Sequence, residues 1–247
     1  MTDVLVVGIN SDQDILMNKG PSVMNVFEKQ EILSHCKFID EIVINTPYSP
    51  SFELLEQLNC SHFAHGDDPA INCDGVDITD QFREKGMLKT FKRTEGVSTT
   101  DITGKLLALA EHSEMQSRDQ DYQSCSPALK QIMEPPRQQF LATTRRVINF
   151  ANKNLPGPDD VIVYIQGSFD LLHHGHLKRL QMAKQLGTFL YVGIWDDEMV
   201  RYYKGEHYPI LSVHERVLMT LASKDVDDIV IGAPYIITKD LIKSLGI

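Results

Sequence analysis

The chain has 247 residues, 42% of them hydrophobic, and a formal net charge of −10. That length suffices for one large or two small domains with real cores, and the acidic balance argues against a nucleic-acid footprint on the whole molecule. No apolar run approaches the roughly 20 residues of a membrane span, and Cys36, Cys60, Cys73 and Cys125 show neither CxxC spacing nor a preceding signal peptide, which points to reduced thiols in the cytoplasm.

In chain order, short apolar runs alternate with helical stretches. VLVVGI (Val4–Ile9), EIVIN (Glu41–Asn45), VIVYI (Val161–Ile165), FLYVGI (Phe189–Ile194) and DIVIG (Asp228–Gly232) are nearly continuous hydrophobic strings, the pattern of parallel strands covered on both faces. A further apolar strand ends at HGDD (His65–Asp68), whose aspartates suit a turn. TTDITGKLLALAEH (Thr99–His112) predicts a helix with Ile102, Leu106, Leu109 and Ala110 on one side. Ser113–Asp160 is rich in Ser, Gln, Pro and charge and reads as a linker with one helix over Phe140–Ala151. HLKRLQMAKQLG (His176–Gly187) predicts a helix burying Leu177, Leu180, Ala183 and Leu186, with Gly187 as its stop. The fold class is α/β with parallel sheets.

Two stretches repeat each other. VVGINSDQDILMNKG (Val6–Gly20) lies over YVGIWDDEMVRYYKG (Tyr191–Gly205) at an offset of 185, matching Gly8 with Gly193, Asp12 with Asp197 and Lys19 with Lys204. After a two-residue gap, Glu28 pairs with Glu215 and IDEIVINTPY (Ile39–Tyr48) with VDDIVIGAPY (Val226–Tyr235) at an offset of 187. Matching Gly, Lys, Pro and Tyr at fixed offsets implies duplication of one module. The expected organisation is a first module over 1–112, a linker over 113–160 and a second module over 161–247.

The chemistry-bearing residues concentrate in QGSFDLLHHGH (Gln166–His176). Gly167 ends a strand where a tight turn and a close backbone approach are needed. His173 and His176 share one side of a first helical turn, with Gly175 between them leaving room for a phosphate near the helix N-terminus. Imidazoles so placed donate to phosphoryl oxygens that gain charge in a transition state. In RTEGVSTT (Arg93–Thr100), Ser98 and Asp101 have capping-box spacing, hydroxyls and free N–H groups are available to phosphates, and Arg93 adds a cation with a fork of donors.

GSFDLLHHGH resembles the GxFDxxHxGH signature of the cytidylyltransferase superfamily, and RTEGVSTT resembles its second signature, RTxGxSTT. HGDD and the KG pairs at Lys19 and Lys204 fall where that family has them, and the tandem arrangement is similar to the branch acting on phosphoethanolamine rather than phosphocholine. The resemblance implies Rossmann-like modules with strand order 3-2-1-4-5. It implies catalytic roles for His173, His176 and Lys204, and nucleotide contacts from Gly167, Ser168, Phe169, Asp170, His174, Gly175, Arg216, Lys19, Arg93, Thr94, Ser98, Thr99 and Thr100. Asp67 and Asp68 would lie near the amine substrate or the nucleotide. Glu215-Arg216 resembles a family motif whose Arg holds the nucleotide; the first copy has Glu28-Lys29, and Lys does not replace Arg at a forked contact.

The implied reaction is CTP plus phosphoethanolamine giving CDP-ethanolamine and pyrophosphate, a step towards phosphatidylethanolamine, with Mg²⁺ accompanying CTP and no protein metal site. The expected location is cytoplasmic, with peripheral contact at the endoplasmic reticulum; a homodimer is allowed but not specified. The order of motifs is unexpected, because RTEGVSTT precedes the histidines. The first copy opens at its second strand, and the second copy stops at Ile247 before any HGxD or RTxGxSTT. Without its central strand the first module would leave backbone groups unpaired. The expectation is therefore a shortened form of a longer enzyme with impaired activity, against the rival that strand Val161–Ile165 completes a composite site placing His173 near Arg93 and Thr99. Two functional alternatives stay open: transfer with another base or acceptor, and a non-catalytic nucleotide-binding or dimerising paralogue.

Overall fold

The computed structural model describes residues 4–72, 74–92, 102–104, 106 and 155–247. The chain divides into two compact units, Met1–Ser98 and Thr99–Ile247.

In the first unit, β1 (Val6–Asn10) leads into α1 (Asp12–Lys19), which Ser11 caps by accepting from the Asp14 N–H at 3.1 Å. α2 (Val26–Ser34) opens on a full capping box between Asn25 and Glu28 and delivers the chain to β2 (Glu41–Thr46). β2 runs parallel to β1, with Val6 opposite Glu41 and Gly8 opposite Val43. After α3 (Phe52–Gln57) come β3 (Phe63–Gly66), α4 (Asp80–Glu84) and β4 (Leu88–Phe91), and β3 and β4 make a second parallel pair. Phe82 is fully buried, its ring 4.9 Å from Phe52 and 4.7 Å from Phe63. Burying one such ring contributes about 1.5–3 kcal/mol. Among the described residues no strand joins the two pairs into one sheet.

The second unit runs β5 (Ile162–Gly167), α5 (His174–Lys184), β6 (Phe189–Ile194), α6 (Asp197–Lys204), α7 (Val213–Leu221), β7 (Asp228–Ile231) and α8 (Lys239–Leu245). Its sheet has the order β5-β6-β7, all parallel. β6 is buried at every residue because it has a neighbour on each edge, while α5 covers it with Leu177, Leu180 and Ala183. β1, the counterpart of β6 in the first unit, has one paired edge and only Ile9 buried. Among the described residues, therefore, the two-sided cover expected from such apolar runs is seen for β6 and not for β1.

Duplication is visible in three dimensions. α6 is α1 displaced by 185 positions and α7 is α2 displaced by 187, to the residue at both ends. Gly193 pairs with Val230 as Gly8 pairs with Val43. Asp40 accepts from the Leu5 N–H at 2.8 Å, and its counterpart Asp227 accepts from the Leu190 N–H at 2.7 Å. The repeated glycine has a steric reason: a Cβ at Gly193 would lie 2.2 Å from Tyr164 Oη, and one at Gly8 would lie 2.9 Å from Thr46 Oγ1. Both copies use that space for a side chain from the neighbouring strand.

Several local expectations change. α5 ends at Lys184 with Gln185 as its cap, so Leu186, expected in the core, is 74% exposed. Gly187 is not the stop; a Cβ there would lie 2.3 Å from the Val161 carbonyl oxygen, so glycine lets the return loop cross the start of β5. Of the helix expected over Thr99–His112, residues 102–104 and 106 are helical, and Leu106 is exposed rather than part of a buried stripe. The helix expected over Phe140–Ala151 and nearly all of the expected linker lie outside the described residues. β5 pairs with β6 along its whole length, so the second copy keeps that strand in its own sheet.

Candidate active site

The C-terminal ends of β5 and β6 carry the site, where open parallel sheets ordinarily receive ligands. β5 stops at Gly167, and the loop to α5 holds Phe169 and Leu171 in left-handed conformations, φ 47° and 46°. Such strain persists only where the surroundings over-determine it. Here they do. Arg216 Nη1 donates to the Ser168 carbonyl at 2.6 Å, the Phe169 ring is buried, and Asp170 accepts from the N–H groups of Ile210 and Leu211 at 2.7 and 3.0 Å. Three successive loop residues are pinned from outside the loop.

His173 is the N-cap of α5, extended in backbone, and its Nδ1 accepts from the Gly175 N–H at 3.1 Å. That bond fixes the remaining proton of a neutral ring on Nε2, on the far side from the helix. It also occupies the Gly175 N–H, one of the backbone donors at the N-terminus of α5. A Cβ at position 175 would lie 3.0 Å from the His173 ring, so glycine is needed there to seat the imidazole. The rings of His173 and His176 are 4.1 Å apart between centroids, with Phe169 5.6 Å behind His176 and His174 turned to the exposed side. Burial first, then the neighbouring His173, Lys204 and Arg179, depress the His176 pKa to about 4 against a smaller opposing pull from Asp170. His176 is thus neutral near pH 7, and its Nδ1 is buried with no hydrogen-bond partner among the described residues.

Lys204, the last residue of α6, donates from Nζ to Ser168 Oγ at 2.8 Å. Gly205 follows at φ 107° and Gly20 occupies the same turn in the first copy at φ 91°, which explains the repeated Lys-Gly pair. Its counterpart Lys19 instead stands 5.7 Å over the Tyr48 ring. The second copy therefore gathers two imidazoles, an ammonium and a hydroxyl around one loop. This set suits a polyphosphate: hydrogen-bond donors and an ammonium, with Asp170, the carboxylate that acts on His176, tied to the backbone N–H groups of Ile210 and Leu211.

Some expected ligands have other work. Arg216 is 0% exposed and donates to the carbonyls of Leu211, Ser168 and Trp195 and to Asp197. Phe169 and Asp170 shape the loop from within. Asp67 and Asp68 are exposed at the end of β3 in the first unit. Arg93, Thr94, Ser98, Thr99 and Thr100 lie outside the described residues. Among the described residues no three His, Cys, Asp or Glu side chains group as a metal site, and no helix is long and apolar enough to cross a membrane. Sequence reading missed Asp197 as part of the site, although its match with Asp12 in the repeat was the available signal.

The chain belongs to the cytidylyltransferase-like family, whose model matches residues 1–105 and 164–247. Within that family it groups with the ethanolamine-phosphate cytidylyltransferases. It is 41% identical to the one from Dictyostelium discoideum over 99% of this chain and 69% of the relative. It is 38% identical to the one from Arabidopsis thaliana over 99% and 62%, and 34% identical to the one from Mus musculus over 98% and 66%. The chain thus spans about two thirds of the length of these relatives.

Proposed function

We propose that the chain binds MgCTP at the loop between β5 and α5 and transfers the cytidylyl group to phosphoethanolamine, giving CDP-ethanolamine and pyrophosphate. The observation that carries this reading is the His173–His176 pair opening α5 beside the Lys204–Ser168 contact. A phosphate oxygen of phosphoethanolamine attacks the α-phosphorus of CTP in line. The bond from that phosphorus to the bridging oxygen breaks, and pyrophosphate leaves with the electron pair. No protein nucleophile is needed, so catalysis is positioning and charge stabilisation.

The donors have separable roles in this scheme. The Nε2–H of His173 meets phosphoryl oxygens, His176 donates as a neutral imidazole, and Lys204 leaves Ser168 to neutralise the polyphosphate. Mg²⁺ enters with CTP as part of the substrate, held largely by phosphate oxygens, as is usual for this ion. The same reading takes residues 1–112 as the first module, 113–160 as the linker and 161–247 as the second module, and assigns Arg93, Thr94, Ser98, Thr99 and Thr100 to nucleotide contacts of the first module. It places the protein in the cytoplasm with peripheral contact at the endoplasmic reticulum; it is compatible with a homodimer and does not require one.

The test is product formation by the 247-residue chain supplied with MgCTP and phosphoethanolamine, with ATP and phosphocholine as alternative substrates. CDP-ethanolamine formed preferentially from CTP supports the reading. CTP binding by calorimetry without CDP-ethanolamine selects a non-catalytic nucleotide-binding protein and overturns it.

A further inference from the structure

We infer that Asp197 is a positioning residue for the proposed nucleotide site: through Arg216 it fixes the loop bearing Ser168 and so aims Lys204 and the two imidazoles at one ligand. This deepens the proposed function and rests on it.

Arg216 is wholly buried, and its Nη2 bridges the Trp195 carbonyl at 2.8 Å and Asp197 Oδ1 at 2.6 Å. Its Nη1 reaches the Ser168 carbonyl at 2.6 Å and its Nε the Leu211 carbonyl at 3.0 Å. Three carbonyls orient a guanidinium but bring no countercharge. Asp197 supplies it, and a buried cation deprived of its anion shifts or draws in water. The consequence reaches the site in one step, because Ser168 is gripped twice, at its carbonyl by Arg216 and at its hydroxyl by Lys204.

Asp197 and Lys204 are also the first and last residues of α6. The helix is therefore tied to the β5 loop at both ends, directly through Lys204 and through Arg216 at the other. A rotation of α6 released by loss of Asp197 would carry the Lys204 ammonium with it. The first copy shows the pair without this reach. There Asp12 accepts from Lys29 Nζ at 3.2 Å and from the Val26 N–H at 3.0 Å, at a part-exposed position. A lysine has no planar fork with which to span several carbonyls.

The experiment compares Asp197→Asn and Asp197→Glu in the full chain, at a temperature where circular dichroism shows each folded. It reads MgCTP affinity, kcat and KM, and the side-chain nitrogen shifts of His173 and His176. The expected result for Asp197→Asn is a roughly hundredfold loss in kcat/KM, the scale of a misplacement near 1 Å, borne mainly by kcat. His176 shifts should move in the free protein, and Asp197→Glu should recover most of the loss. Wild-type affinity and kcat with unmoved imidazole shifts in Asp197→Asn would overturn the inference while leaving the proposed function standing. If the wild-type chain binds no MgCTP, the proposed function fails, and the imidazole shifts alone decide the positioning role. Should Asp197→Asn not fold, Arg216→Lys keeps a cation beside Asp197 but removes the reach to Ser168. The same shifts and loss are expected, and their absence is equally fatal.

Discussion

Asp197 Oδ1 lies 2.6 Å from Arg216 Nη2 in the second copy, and the duplicated pair, Asp12 and Lys29, lies 3.2 Å apart in the first. Duplication kept the ion pair and changed its setting. The second pair has a fully buried cation; the first has both partners in contact with solvent. Asp197→Asn should therefore cost about 1–3 kcal/mol of stability, less than breaking a wholly buried pair because Asp197 is partly exposed and the amide oxygen still accepts, whereas Asp12→Asn should leave the unfolding midpoint nearly unchanged. Urea unfolding of both variants reads the difference; equal midpoints would show that burial of Arg216 is immaterial.

His176→Ala should lower kcat by about 10²–10³, the range for loss of one preorganised donor. The far-ultraviolet spectrum should keep its shape, because the ring is only partly buried and Leu177 and Leu180 hold α5 to the sheet. Steady-state kinetics with MgCTP and phosphoethanolamine checks this. A variant with wild-type turnover would remove the imidazole from the chemistry.

Lys204→Ala should raise the KM for CTP more than Ser168→Ala does, since in the proposed scheme the ammonium leaves the Ser168 hydroxyl, its partner in the free protein, for the polyphosphate. Initial-rate measurements against CTP concentration compare the two. Equal effects would mean that Lys204 acts only by holding the loop.

Stability should fall on acidification through His176. In an unfolded chain a histidine takes up its proton near 6.5, but in the folded protein burial and the adjacent cations hold that event down to about 4. Between those values the unfolded state binds more protons, so the contribution is complete above about pH 6.5 and is lost progressively as pH falls towards 4. Urea midpoints at pH 7.5 and 4.5 should drop less in His176→Gln than in the wild type. Equal drops would place the acid sensitivity elsewhere.

Much of this was legible in the sequence for identifiable reasons. The repeat predicts α6 from α1 and α7 from α2 because capping residues travel with their helices, Ser11 with Asp196 and Asn25 with Ser212. The apolar runs locate β1, β2, β5, β6 and β7. β4, Leu-Lys-Thr-Phe, is short and alternates too little to stand out. The exposure of Leu186 goes with the end of α5 at Lys184, and the close approach of Gly187 to Val161 is a contact that local pattern does not show. The site was legible as residue types and not as partners. GxFD reads as ligand contacts but does not show that the Phe169 ring is buried or that Asp170 accepts from the Ile210 and Leu211 N–H groups, and a long-range bond such as Arg216 to Ser168, 48 positions apart, has no trace in local pattern.

Gly187→Ala should destabilise the second unit by about 1–3 kcal/mol, as overpacking does, because the new methyl meets a backbone oxygen that cannot turn aside. Thermal unfolding gives the comparison. An unchanged midpoint would mean that the loop shifts freely away from Val161.

The most direct test of the account is a crystal structure of the chain grown with MgCTP. It predicts phosphate oxygens within hydrogen-bond reach of His173 Nε2 and Lys204 Nζ, with the ammonium withdrawn from Ser168. Nucleotide bound at another place, with Lys204 still on the Ser168 hydroxyl, would contradict it.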